Sequence, residues 1–119
     1  MAYVDRINNE LKYATCSSLC YTSASQWSTV VVDSVTEVGD FTDIVVDTSG
    51  NIHIAYQDET NDDLRYATCS SGCTSTLSWS TVRVDDTFLE TDQRSMTFSI
   101  GVDSAGDIHI VYVLSLIHI

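Results

Sequence analysis

The sequence predicts an all-β protein made of tandem four-stranded antiparallel sheets, and three observations carry that expectation. Residues 2–18, AYVDRINNELKYATCSS, return at 55–71 as AYQDETNDDLRYATCSS, with 11 of 17 positions identical. The runs between turns are rich in Val, Ile, Tyr, Thr and Ser, which fit pleated, half-buried strands. No long segment carries apolar residues at i, i+3, i+4 and i+7, so essentially no helix is expected.

The repetition extends further. WSTVVVD at 27–33 returns as WSTVRVD at 79–85, and VDTSGNIHIAY at 46–56 returns as VDSAGDIHIVY at 102–112. A period of about 50 residues marks arrays, solenoids or propellers. In the middle unit, four strand-like runs follow one another at 52–58, 64–70, 79–85 and 97–103. The polar loop 59–63, the tight turn Ser70-Ser71-Gly72 and the turn 103–107 separate runs of this kind, with Gly106 placed for positive φ. Four antiparallel strands in some 50 residues is the size of one β-propeller blade.

The expected division follows. Residues 1–54 hold an incomplete blade plus the first strand of the next repeat, 51–104 the second blade, and 105–114 the start of a third. The final LSLIHI fits nothing in the repeat, and residues 115–119 resemble the artefactual tails of gene models translated through sequencing adapter. That tail is expected to be non-native. A closed propeller typically needs four to eight blades. The expectation is therefore an open partial propeller of about two blades, a fragment whose neighbouring blades are missing.

Composition narrows the function classes. Apolar residues make up 44% of the 119, enough for a core, and 17 acids against 5 bases give a formal net charge of −12. Phosphate neutralisation needs clustered Lys and Arg, so a nucleic-acid partner is not expected. Docking on anionic lipid is disfavoured for the same reason. No run of about 18 apolar residues exists for a membrane span, and MAYVDRINNE has no signal-peptide core.

The segments DTSGNIHIAYQDETNDDLRYATC and WSTVRVD resemble the repeats of secreted bacterial β-propellers of the sialidase-like, or BNR-like, kind. Such repeats combine a D-x-x-G-N turn, an H-I-x-Y-x-D strand, an L-x-Y-A strand and a following Trp. The resemblance spans residues 2–112 and implies an extracellular propeller. It departs from true sialidases in the Asp-box, S-x-D-x-G-x-x-W, which is not matched. A sialidase-type site would also need an arginine cluster, a Tyr–Glu nucleophile pair and an Asp acid/base. Arg6, Arg65, Arg83 and Arg94 are scattered, and Arg65 is repeated as Lys12, which reads as a surface charge of the unit. No catalytic residue is assigned.

Cys16 with Cys20, and Cys69 with Cys73, occupy one place in each unit, across the turn between second and third runs. Opposed residues at a hairpin end lie within disulfide range. Two disulfides are the favoured reading, with free thiols as the alternative, and they place the protein in an oxidising compartment, extracellular or cell-surface. A shared four-cysteine zinc site is disfavoured, because sheets packed about 10 Å apart cannot converge four sulfurs on bonds near 2.3 Å.

His53 and His109 repeat at one position, where alternation puts Ile52, Ile54 and Tyr56 on one face and His53 and Ala55 on the other. They are expected to be satisfied histidines between blades, and His118 lies in the tail. Trp27 and Trp79 open the third strand of each unit and read as packing anchors, the alternative being sugar-stacking platforms; Tyr13 and Tyr66 read as blade packing. Asp58, Glu59, Asn61, Asp62 and Asp63 form an oxygen-rich loop without the spacing or the Gly of an EF-hand, and Asp5, Asn8, Asn9 and Glu10 are its counterpart. Both read as solvated loops, so no metal and no cofactor are expected. The expected function is a non-catalytic binding or adhesion scaffold for a glycan or protein ligand. The alternative is part of a sialidase-like glycoside hydrolase whose catalytic residues lie outside this fragment.

Overall fold

The computed structural model describes residues 1–34, 38–61, 63–86 and 94–116. Nine strands form three separate antiparallel sheets among these residues, and none of the sheets closes on itself. Sheet one contains β1 (Ala2–Asp5), β2 (Glu10–Thr15) and β3 (Ser28–Asp33). Sheet two contains β4 (Val38–Val46), β5 (Ile52–Asp58), β6 (Asp63–Cys69) and β7 (Ser80–Asp86). Sheet three pairs β8 (Arg94–Val102) with β9 (Ile108–Leu116). Within each sheet every strand pairs with its sequence neighbour, so the first two sheets are meanders and the third is a hairpin. The only described helical pieces are two three-residue 3₁₀ turns, Ala24–Gln26 and Thr76–Ser78, each ending just before a Trp.

The sheet-forming unit is out of phase with the unit read from sequence. The span 51–104 is not one sheet: its fourth run lies in β8, which pairs with β9, while β4 supplies the first strand of sheet two. Turn chemistry explains the phase. Asp47 and Asn51 close a tight hairpin between β4 and β5, with Asp47 N–H donating to Asn51 O and Gly50 N–H donating to Asp47 O, both at 3.0 Å. Gly50 sits at φ 85°, a region open to glycine at no steric cost. The turn at Asp103–Asp107 repeats this pattern. Val113 to Leu116, outside the sequence repeat, continue β9 and pair with Arg94 to Thr97. His118 and the rest of the tail, 117–119, lie outside the described residues, as do Asp62 and the stretch 87–93.

Alternation along the strands gives each sheet two faces. The core lies between the front face of sheet one, with Leu11, Tyr13 and Val30, and the back face of sheet two, with Ile52, Ile54, Tyr56 and Ala67. Fully burying such a Leu or Ile is worth roughly 1.5–3 kcal/mol. Tyr13 meets Trp79 across this interface with ring centroids 5.3 Å apart. β4 packs against β1 on one side and β8 on the other, so the three sheets follow one another face to face.

The cysteine loops repeat closely. Cys16 and Cys20 lie at disulfide distance with Cα atoms 5.7 Å apart, and Cys69 and Cys73 likewise at 5.8 Å. Each loop turns on a residue with positive φ, Gly72 at 64° and its counterpart Leu19 at 54°. A left-handed Leu costs roughly 1–2 kcal/mol, of which the extra unfolded-state entropy of a Gly would return about 0.4–1. The Leu19→Gly variant should therefore be more stable by roughly 0.5–1 kcal/mol in urea titration. Gly72→Ala should be destabilised, because its Cβ would lie 3.1 Å from Ser78 Oγ.

Candidate functional site

Three constellations collect the chemistry-bearing residues. The first joins successive sheets. In β3, a bulge opposite Leu11 and Lys12 leaves Asp33 across from Leu11, re-aiming its carboxylate toward sheet two. There the buried Tyr56 O–H donates to Asp33 Oδ2 at 2.7 Å. Arg65 Nε donates to the Tyr56 hydroxyl at 3.3 Å and stands 3.7 Å from Asp33 Oδ2, while Arg65 Nη2 reaches Thr81 Oγ1. Arg65 is thus half-buried in an inter-sheet network, not the plain surface charge its sequence context suggested. The arrangement recurs one unit on: a second bulge, at Leu64 and Arg65, faces Asp85, and Tyr112 O–H donates to Asp85 Oδ2. Burial and the Asp33 hydrogen bond push the Tyr56 hydroxyl pKa well above the ordinary tyrosine range. The Asp85 hydrogen bond moves Tyr112 the same way.

The second constellation is centred on His53 at the β5 edge of the D-x-x-G turn. Its Nε2 lies 3.0 Å from Asp47 Oδ2, and its Nδ1 lies 2.6 Å from the Tyr66 hydroxyl. In the neutral ring the Asp47 carboxylate requires Nε2–H, so Nδ1 accepts the Tyr66 O–H. The two rings lie nearly parallel at 5.9 Å. An Asp–His pair can orient an imidazole for base chemistry, but here Tyr66 takes the nitrogen that a substrate proton would need. His53 is buried and satisfied, as its sequence position suggested, and the partners come from its own sheet. Asp103 and His109 repeat the Asp half of the arrangement at 3.0 Å, with the ring open to solvent. Asp47 also accepts from Ser49 N–H, Asn51 N–H and Asn51 Nδ2. The His53 hydrogen bond leads these in pulling its carboxyl pKa down to about 2.

The oxygen-rich loops carry the same turn chemistry. Asp58 accepts from Thr60 N–H, Asn61 N–H and Asn61 Nδ2, and Asp5 accepts from Ile7 N–H, Asn8 N–H and Asn8 Nδ2. These are Asx turns, in which the carboxylate mimics a backbone acceptor. Asp58 is fully buried. Its oxygens serve the hairpin, leaving little to coordinate a cation.

The third constellation is a hollow on the back face of sheet one, of about 640 Å³, lined by Tyr3, Ala14, Tyr21, Trp27 and Thr29 among others. Trp27 is 37% exposed, against 8% for its counterpart Trp79. Both indole N–H groups donate at 2.9 Å to a carbonyl of the cysteine loop, Trp27 to Cys20 and Trp79 to Cys73. Both tryptophans therefore anchor the loop, and Trp79 packs in the core as well. Cys16, Cys20, Cys69 and Cys73 serve this loop. Arg83 stands directly across from Arg65 in the β6–β7 pairing, on the same face of sheet two, so the structure brings together two of the arginines that are scattered in sequence. Arg6 lies in the turn between β1 and β2.

Sequence reading missed the Asp33–Tyr56 and Asp47–His53 partnerships. The signal was present in the repeated V-D ending of the third run, the repeated Tyr of I-H-I-x-Y, and the repeated D-x-x-G-[ND]-x-H spacing. No known family pattern, no curated protein and no solved structure matches the chain.

Replacing Tyr56 by Phe removes one hydrogen bond from a buried carboxylate and should cost about 1–3 kcal/mol in equilibrium unfolding. Tyr3→Phe, on the uncovered sheet, should stay within about 0.5 kcal/mol. The Tyr56 hydroxyl is raised in the fold, so its contribution is full below the unfolded tyrosine value near pH 10 and is lost as pH climbs above it.

Asp47 works in the opposite direction. Its carboxyl is depressed, so its contribution is full above the unfolded value near 4 and is lost as pH falls toward 2. In His53→Ala the Asp47 pKa, followed by carboxyl NMR titration, should move back up toward the ordinary aspartate range.

Proposed function

We propose that the chain is a stretch of extracellular β-propeller of the sialidase-like repeat kind. In this reading its three sheets are successive blades, each covered by the next, and the whole serves as a non-catalytic binding or adhesion scaffold for a protein or glycan ligand. One observation carries the reading: the contact from Asp33 to Tyr56 recurs, one repeat on, from Asp85 to Tyr112. A nearest-neighbour contact that recurs with the sequence period is how repeat arrays add units. The same sheet, turned the same way each time, is what a propeller repeats.

Several observations support the non-catalytic part. The histidine, the carboxylates and the arginine that could supply chemistry are engaged in keeping turns and sheets in place. Two cysteine pairs at disulfide distance are compatible with an oxidising, extracellular setting. No helix among the described residues is long and apolar enough to cross a membrane.

The test is a pair of assays on the purified, oxidised chain. Binding to an immobilised glycan panel or to a panel of extracellular proteins is expected, with no turnover of a fluorogenic sialoside. Hydrolysis of the sialoside would overturn the non-catalytic role, and silence on both panels would overturn the scaffold role.

A further inference from the structure

The hollow on sheet one is the uncovered version of a surface that sheet two has covered. On sheet two, Tyr56, Ala67 and Trp79 face sheet one and are buried. Their repeat counterparts Tyr3, Ala14 and Trp27 line the open hollow. A second unsatisfied surface lies on the front face of sheet two. Sheet three has only two described strands, and they pack chiefly on β4 and β5, reaching β7 at its end through the Tyr112–Asp85 hydrogen bond. Val82 and Val84 are accordingly 53% and 49% exposed, where Val30 and Val32, covered by sheet two, are 7% and 6%.

These two surfaces are the halves of one interface already made inside the chain. In that interface Tyr13, on a front face, packs at a tilt against Trp79, on a back face. Tyr66 and Trp27 are the same two residues of the repeat, on the two surfaces left open. We propose that a second copy of this chain covers the hollow, laying the front face of its β6–β7 pair against the back face of β2–β3 in a head-to-tail contact. The inference rests on the stacked-repeat part of the reading above and is independent of any ligand.

Charge supports this occupant. Among the described residues the hollow is lined by no acidic side chain, although each chain carries a net charge of −12. Contact at an acid-free patch lets two acidic copies meet where local repulsion is least. The remaining long-range repulsion is screened by salt, over about 8 Å at 0.15 M and less at higher concentration. A patch limited to half a sheet face makes a weak contact that mass action must drive.

The experiment is sedimentation velocity on the full chain at rising concentration, at low and high salt. Average mass should climb with concentration, and more steeply in high salt. A head-to-tail contact is heterologous, so Trp27→Glu and Val82→Glu should each weaken association by at least about 30-fold, as loss of a central hot spot does. Mixed in equal amounts, the two variants should form a dimer and nothing larger, because each keeps the face the other has lost. Far-UV circular dichroism of each variant should match the parent.

A parent that stays monomeric throughout, variants that associate like the parent, or a mixture that stays monomeric would each overturn the proposal. So would a soluble sugar that quenches Trp27 fluorescence with no change in mass. Tyr56→Phe separates the two failures: if it costs no stability, the stacking reading falls, and if it does cost stability while the mass stays flat, only this inference falls.

Discussion

The fold depends on one recurring interaction, a carboxylate at the end of one sheet's last strand accepting a hydrogen bond from a tyrosine of the next sheet. It requires three things together. A bulge must turn Asp33 onto the face of Leu11. The tyrosine must lie on the back face of the following sheet, which strand alternation arranges for Tyr56. The charge must be satisfied once water is excluded, because an unpaired buried carboxylate is costly. Arg65, 3.7 Å from Asp33 Oδ2 and hydrogen-bonded to the Tyr56 hydroxyl, meets that last need. Apolar contacts between Leu11, Tyr13, Ile54 and Trp79 supply more of the free energy, but they are non-directional. The Asp–Tyr contact is the directional element that recurs at both junctions, and it helps select how one sheet sits on the next.

This division of labour explains what was legible in the sequence. Strand positions were, because period and composition are local properties: the run 52–58 is β5 residue for residue. The cysteine pairs were legible too, because four residues of separation across a turn leave little choice of partner. The phase of the sheets was not. Every run is β-rich, and a repeat can be cut at any loop without changing its internal similarity. What breaks the tie is turn chemistry. The Asp47–Asn51 hairpin forces β4 and β5 together, whereas a longer stretch separates β7 from β8.

Partnerships between sheets were hidden for a different reason. A bulge reverses the face of every residue beyond it, so simple alternation places Asp33 on the wrong side of its strand. Burial was hidden as well. Trp27 and Trp79 are the same residue of the same repeat, yet one is open and the other lies in the core. The difference is decided by whether another sheet arrives, which no property of the repeat itself contains.

The acidity of the chain has a structural origin that bulk charge conceals. Read as composition, 17 acids against 5 bases describe a well-solvated surface. Residue by residue, Asp5, Asp47, Asp58 and Asp103 each gather backbone N–H groups of a turn, and Asp33 and Asp85 hold successive sheets. Asp43 accepts from the Ile100 N–H of sheet three. A meander of short strands has many tight turns, each turn leaves N–H donors without strand partners, and aspartate is among the shortest side chains that can collect two or three of them. The repeat therefore accumulates negative charge as a by-product of its architecture. That charge in turn restricts where two such chains can approach, leaving the apolar sheet faces as the places where contact costs least.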